Sequence, residues 1–210
     1  MPLQNRVDPW GKLNAVPMRG SLTGNRGILH NESRQIVRPW AGKSWVTCAL
    51  QFKDNQQPGK VFSDGSYSEL FFLDEATAFA AGHRPCNYCR KLRYAEFKSA
   101  WLRSNRPDAV GNTPITEVDK VLHAERAIPG GGKVMFSAAV KDLPSGAMFE
   151  QEGAAFLVWK EAIHRWSFDG YTPSSLQVGT QEVNVLTPAS IIRMYANGFI
   201  PDVHVSAGSV

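Results

Sequence analysis

The sequence predicts an α+β protein made of a small cysteine-containing module and a C-terminal unit rich in antiparallel sheet. Three observations support this: strand-like alternation at residues 45–52, an alanine-rich helical segment before a Cys-x-x-Cys pair, and short strand patterns after residue 133. With 210 residues, 43% hydrophobic and 20% charged, the chain can bury one substantial core or two small ones. This composition excludes a disordered or fibrous protein.

The composition divides the chain into four segments. Residues 1–40 are rich in Gly, Pro, Asn and Arg without a sustained period, so we predict an arm of loops and short strands. Residues 41–106 form the predicted module, and residues 107–132 form a helix and a glycine-rich linker. Residues 133–210 form the sheet-rich unit.

The module begins with a strand over residues 45–52, in which Cys48 lies on the more apolar face. After a short strand at 68–73, Asp74 is the expected N-cap of a helix over 75–81, which ends at a glycine.

Two more helices are predicted from apolar residues at helical spacing, over residues 92–103 and 117–127. Thr116 is the expected N-cap of the second of these helices.

The C-terminal unit shows short strand patterns separated by turn residues, which predict an antiparallel meander. A final helix, ending near residue 196, is expected to begin with Thr187 as its N-cap and Pro188 as its first residue. The predicted strands cover residues 134–140, 147–151, 154–160, 162–166 and 183–186.

The strongest local signal is the sequence Gly-His-Arg-Pro-Cys-Asn-Tyr-Cys-Arg at residues 82–90. Two thiolates three positions apart on a tight turn, Cys86 and Cys89, can bind one Zn²⁺. Three cysteines form no even-numbered disulfide framework, which favours a metal site or a thiol pair in a reducing compartment. Cys48 is the next candidate ligand, although a cysteine on an apolar strand face is equally often a buried structural thiol.

Residues 69–89 resemble the zinc-binding domain of the Ada DNA-repair methyltransferase. The shared features are a strand, a short alanine-rich helix ending in glycine, an Arg-Pro pair and the Cys-x-x-Cys motif. The resemblance implies that Cys86 and Cys89 are zinc ligands and that the basic flank approaches a nucleic-acid backbone. The first half of the Ada-type site has the pattern Cys-x-x-x-Cys or His-x-x-x-Cys, for which this chain has Ser44-x-x-x-Cys48.

The fourth ligand stays open at this point. His83 or His30 could complete a set with the three cysteines, or water could take the fourth position, as in catalytic zinc sites. The chain also resembles a family of uncharacterised bacterial proteins that share the segment Gly-Asn-Arg-Gly at residues 24–27 together with this motif. That second resemblance implies no activity.

Positive charge is concentrated in the first half of the chain. Residues 83–106 hold seven Lys and Arg against Glu96 alone, although the whole chain carries a formal charge of only +4. A basic block beside a zinc turn suggests phosphate binding, and a solvated face is the alternative interpretation. The expected nucleic-acid contacts are Arg84, Arg90, Lys91, Arg93, Lys98 and Arg103.

We therefore expect a zinc-binding protein associated with DNA, acting in DNA repair or processing. Two alternatives remain: a zinc-dependent enzyme, hydrolytic or nuclease-like, acting in a cleft between the halves, and a structural zinc scaffold for a protein partner. The sequence does not decide whether the protein is an enzyme. No segment approaches the roughly 20 apolar residues of a membrane span, and no signal peptide is evident, so the expected location is the cytoplasm.

Overall fold

A computed structural model describes residues 2–51, 61–108 and 113–208 of the chain. These residues form four α-helices and two largely antiparallel six-stranded sheets, in agreement with an α+β fold in general terms. None of the helices in these ranges is long and apolar enough to cross a membrane.

The first sheet is built from short strands contributed by both the predicted arm and the predicted module. The strands are β1 (Arg6–Val7), β2 (Leu13–Asn14), β3 (Leu22–Asn25), β4 (Val46–Ala49), β5 (Leu70–Phe72) and β6 (Arg84–Pro85). Their order is β2-β1-β5-β3-β4-β6, so that residues 1–40 supply half of the strands, including β3 in the interior. β3 pairs antiparallel with β4 and β5, whereas β6 pairs parallel with β4.

The second sheet consists of β7 (Phe136–Ala139), β8 (Met148–Gln151), β9 (Ala154–Trp159), β10 (Ala162–Ser167), β11 (Gly170–Pro173) and β12 (Glu182–Val185). Its order is β11-β10-β9-β8-β12-β7, and it is antiparallel throughout. Strands β8 to β11 follow one another as the predicted meander, and β12 inserts between β8 and β7. Of the six strands of this sheet, β11 alone has no counterpart among the predicted strands.

Helix α1 (Glu75–Ala80) lies between the two sheets. The Asp74 carboxylate accepts a hydrogen bond of 2.8 Å from the Thr77 backbone N–H, which confirms the predicted N-cap. All six helical residues are buried, because Ala78 packs in the core of the first sheet while Ala76 and Ala80 pack in that of the second. The helix therefore joins the predicted module to the predicted C-terminal unit.

The other helices, α2 (Lys91–Asn105), α3 (Ile115–Arg126) and α4 (Ala189–Ala196), share one core. The predicted N-caps of the last two were wrong: Pro114 and Pro188 occupy the cap positions, without a side-chain capping bond. Thr187 instead accepts a hydrogen bond of 2.9 Å from the backbone N–H of Met148, so its hydroxyl is committed to strand β8.

Candidate metal centre

Strand pairing brings the three cysteines of the chain together. Cys48 belongs to β4, and its neighbour Thr47 accepts a 2.9 Å hydrogen bond from the backbone N–H of Cys86, directly after β6. The following turn closes with a 3.1 Å hydrogen bond from the Arg90 N–H to the Cys86 carbonyl. This turn returns Cys89 towards β4 before α2 begins.

The three sulfur atoms of Cys48, Cys86 and Cys89 lie within 4.8 Å of one another. In a tetrahedral zinc site with Zn–S bonds of about 2.3 Å, neighbouring sulfurs are about 3.8 Å apart. A separation of at most 4.8 Å is compatible with binding of one ion, and thiolates are ligands that zinc prefers. These residues could hold a metal ion.

The histidines offered by the sequence lie elsewhere. His83 is fully buried, and its Nε2 accepts a hydrogen bond of 3.1 Å from Nε of Arg26. The Nδ1 atom of His30 lies 2.6 Å from the Ser68 hydroxyl, and its ring stacks on Phe62. Neither histidine belongs to the sulfur cluster, and no described His, Asp or Glu adds a fourth ligand atom to it.

Ser44, which stands where an Ada-type site has a ligand, also has another role. Its hydroxyl accepts a hydrogen bond of 3.0 Å from Nη2 of Arg84. The serine thereby positions a buried guanidinium.

The three thiols are electrostatically unequal. Burial raises the pKa of Cys48 far above its ordinary value, and the two neighbouring sulfurs raise it further. Burial also opposes ionisation of Cys86, but hydrogen bonds from the backbone N–H groups of Cys89 and Tyr88 outweigh it and lower the pKa. Cys86 is therefore the thiol that ionises most readily, and a cation would be needed to hold all three as thiolates.

The cluster lies at the surface, beside an exposed aromatic side chain. All three cysteines are partly exposed, and Tyr88, between the two cysteines of the motif, is 61% exposed. Burial raises the pKa of the Tyr67 hydroxyl, and the charges of Cys48, Glu69, Cys89 and Cys86 raise it further. Sequence reasoning missed Tyr67, because only the pairing of β3 with β4 and β5 brings its segment to the cluster.

Three of the six predicted phosphate contacts are arginines held by internal carboxylates. Arg84 is buried and donates two hydrogen bonds, of 2.7 and 2.8 Å, to the carboxylate of Asp119. Arg90 and Arg93 bind the buried Glu75 at 2.8 and 2.5 Å. These guanidiniums join the sheet and helices, and their charges are engaged by carboxylates within the protein.

The remaining three, Lys91, Lys98 and Arg103, lie along α2. Lys91 and Arg103 are exposed, whereas Lys98 is partly exposed. Lys91 and Lys98 are seven residues apart and so lie on one stripe of the helix. Lys91 follows the Cys-x-x-Cys turn by two residues, which places this stripe next to the sulfur cluster.

No protein-family model, no curated protein and no solved structure matches this chain.

Proposed function

We propose that Cys48, Cys86 and Cys89 bind one Zn²⁺ and that the fourth coordination position takes an exogenous ligand. The observation that carries this proposal is the convergence of three sulfurs within 4.8 Å of one another, without a fourth ligand atom from the described residues. A zinc with three protein ligands is typical of catalytic sites, whereas structural zinc is usually closed by four. The proposal therefore favours the zinc-dependent enzyme over the structural scaffold.

The protein groups around this centre are suited to substrate access. The sulfurs are partly exposed, so a molecule arriving from solvent can reach the fourth position. Zinc at such a position supplies Lewis-acid polarisation and a bound water of lowered pKa. The Tyr67 hydroxyl, with its raised pKa, stays protonated at neutral pH and can donate a hydrogen bond to a ligand held there.

Metal analysis of protein purified without chelators tests the zinc set. We expect close to one zinc per chain for the wild type and for Ser44→Ala, because the Ser44 hydroxyl is engaged by Arg84. Cys48→Ser, Cys86→Ser and Cys89→Ser should each lose zinc and stability to a similar extent. Zinc retained at full occupancy in Cys48→Ser would remove that residue from the set, and metal-free wild type would refute the site.

The fourth position has its own test, cobalt substitution. A Co²⁺ form with three thiolates and one exchangeable ligand should change its visible absorption when imidazole or azide is added. A spectrum of four fixed ligands that does not respond to either would contradict the open position and favour the structural scaffold.

A second candidate function is binding of a nucleic acid through α2, in line with the resemblance to a DNA-repair module. The observation in its favour is that the exposed Lys91 and the partly exposed Lys98 share one stripe of α2, which begins beside the sulfur cluster and the exposed Tyr88. Because Arg84, Arg90 and Arg93 are engaged internally, about three phosphates can be neutralised by the remaining predicted contacts. These contacts are Lys91, Lys98 and Arg103.

The salt dependence of DNA binding measures the number of neutralised phosphates. For duplex DNA, a plot of log K against log salt should have a slope of about −3, since each neutralised phosphate contributes about −0.9. Lys91→Glu with Lys98→Glu should abolish the binding, whereas Lys120→Glu, an exposed lysine on α3, should leave it nearly unchanged. Absent binding, or binding that ignores the double substitution, would refute this candidate.

A further inference from the structure

A second site candidate lies away from the sulfurs, in a cavity of about 760 Å³. It is lined by four parts of the chain: the N-terminal segment, residues 36–45, the end of α3 and the glycine-rich turn after α3. Five of its lining residues are cationic, and none of the described lining residues is acidic. The cations are Lys12, Arg26, Arg38, Arg126 and Lys133.

Two of these cations are almost completely buried: Arg26 is 2% exposed and Arg126 is 1% exposed. Arg26 donates to Nε2 of His83 and, at 2.9 Å, to the Gly11 carbonyl. Arg126 donates to the carbonyls of Gly82 and, at 2.6 Å, Lys43. All of these acceptors are neutral, so neither guanidinium is hydrogen-bonded to a carboxylate of the described residues.

Each buried arginine also has a nitrogen without a hydrogen-bond partner among the described residues. These atoms are Nη2 of Arg26 and Nε of Arg126. A buried guanidinium with an unused donor is costly, and most buried polar atoms in native proteins have a hydrogen-bond partner. The unused donors point to a missing acceptor.

The nearby carboxylates are already engaged. Asp8 accepts hydrogen bonds from the Lys12 backbone and from Asn14, and Asp119 holds Arg84. Burial lowers the pKa of Arg26 and of Arg126 to about 9, and it lowers that of Lys133 to about 7. Repulsion by neighbouring cations lowers the pKa of Arg126 and of Lys133 further, and the charges of Asp8 and Asp119 offset these shifts only in part. The cavity would therefore be stabilised by an anion carrying more than one negative charge.

Three tryptophan rings also line the cavity. The guanidinium carbons of Arg26 and Arg126 each lie 4.1 Å from the ring centroid of Trp45, so this ring holds the two cations in place. Trp10 and Trp40 are only partly buried and also line the cavity. Their apolar surfaces can pack against a flat ring of a ligand.

We propose that this cavity binds a nucleoside phosphate. The phosphate is bound by the cationic end of the cavity, at Arg26, Arg126 and Lys133. The base packs against the accessible rings of Trp10 and Trp40. A phosphate monoester supplies two negative charges where a carboxylate supplies one, and the cavity has the size of a small-molecule site rather than that of a lone phosphate.

The ligand could be a free nucleotide or the terminal nucleotide of a nucleic acid, since both present the same phosphate and base. Calorimetric titration with adenosine 5′-monophosphate, and separately with a 5′-phosphorylated oligonucleotide, distinguishes these sources. Binding of either one supports the site and identifies its source. Adenosine and inorganic phosphate serve as the two partial ligands, and each should bind at least roughly tenfold more weakly than the whole nucleotide.

Two variants dissect the cavity. Lys133→Met should weaken nucleotide binding roughly tenfold or more, because it removes one charge-assisted hydrogen bond, and should leave adenosine binding unchanged. Trp40→Leu should weaken binding of the nucleotide and of adenosine but not of phosphate. Lys141→Met, at an exposed lysine outside the cavity, should bind like the wild type.

Thermal melts of each variant show whether it is folded. If Lys133→Met does not fold, Lys12→Met at the exposed rim gives the same test, with a loss of roughly threefold. The proposal is overturned if neither nucleotide nor oligonucleotide binds saturably, if inorganic phosphate binds as tightly as the nucleotide, or if the folded variants bind like the wild type.

Discussion

Substitution of the buried Glu75 should lower the stability of the protein strongly. Its side chain is fully buried at the start of α1 and accepts hydrogen bonds from Arg90 at 2.8 Å and from Arg93 at 2.5 Å. It also accepts one of 3.0 Å from the backbone N–H of Asp202. Glu75→Gln keeps the shape of the side chain but removes the charge that both guanidiniums require.

The expected loss follows from the burial of the three groups. Removing one partner of a buried ion pair generally costs about 3 to 5 kcal/mol, because the other charge is left uncompensated. The side chains of Arg90 and Arg93 are 11% and 17% exposed, so some water can reach them. We therefore expect a value at the lower end, about 3 kcal/mol, and a melting temperature lowered by roughly 6 to 12 °C.

Denaturant unfolding followed by circular dichroism measures this loss. The matched control is Glu96→Gln, since Glu96 binds the same Arg93 at 2.8 Å but its side chain is 58% exposed. That exposed pair should contribute less than about 1 kcal/mol. A loss at Glu75 as small as the loss at Glu96 would refute the reasoning, and it would make Arg90 and Arg93 available to phosphates again.

Two further predictions concern the region around Arg126. Because burial lowers the pKa of Lys133 to about 7 from its ordinary 10.5, the unfolded chain binds more protons than the folded chain between these pH values. The free energy of unfolding should therefore rise with pH over this window, by at most about 1.4 kcal/mol per pH unit. The rise should be smaller in Lys133→Met. Identical pH profiles of the wild type and this variant would contradict the low pKa. Gly82→Ala should cost about 3 kcal/mol or more, since its φ is +85° and the new Cβ would lie 2.4 Å from Cδ of Arg126. Gly130→Ala, at φ +84° with open space around it, should cost only about 1 to 2 kcal/mol in the same denaturation measurement. Equal losses in the two variants would show that backbone strain, and not the contact with Arg126, accounts for the cost.

Local signals predicted α1 and its surroundings well. The Asp74 cap and the Gly82 terminus act within a few residues of the helix, so their chemistry is visible in the sequence. The same holds for the Cys86 and Cys89 pair, which a single turn brings together. The place of Cys48 depended instead on parallel pairing between β4 and β6, and the strand pattern alone equally allowed a buried thiol.

Non-local partners explain what the sequence could not predict. The sign of each charge was visible, but the partner of Arg84 is 35 positions away in α3, and nothing local marks that pairing. Thr187 has the composition of an N-cap, yet a backbone N–H of β8 uses its hydroxyl first. The cationic cavity likewise brings together residues as far apart in the sequence as Lys12 and Lys133. No periodicity in the sequence could indicate that these residues are neighbours.

The position of α1 has a consequence for how the molecule denatures. A helix of six residues is too short to persist alone in water, and this one is covered on opposite sides by cores that belong to different halves of the chain. Loss of either sheet would expose it and remove its support, so the two halves are coupled in a single cooperative unit. Calorimetric melting should accordingly give one transition rather than two, and a fragment limited to residues 41–106 should not fold by itself.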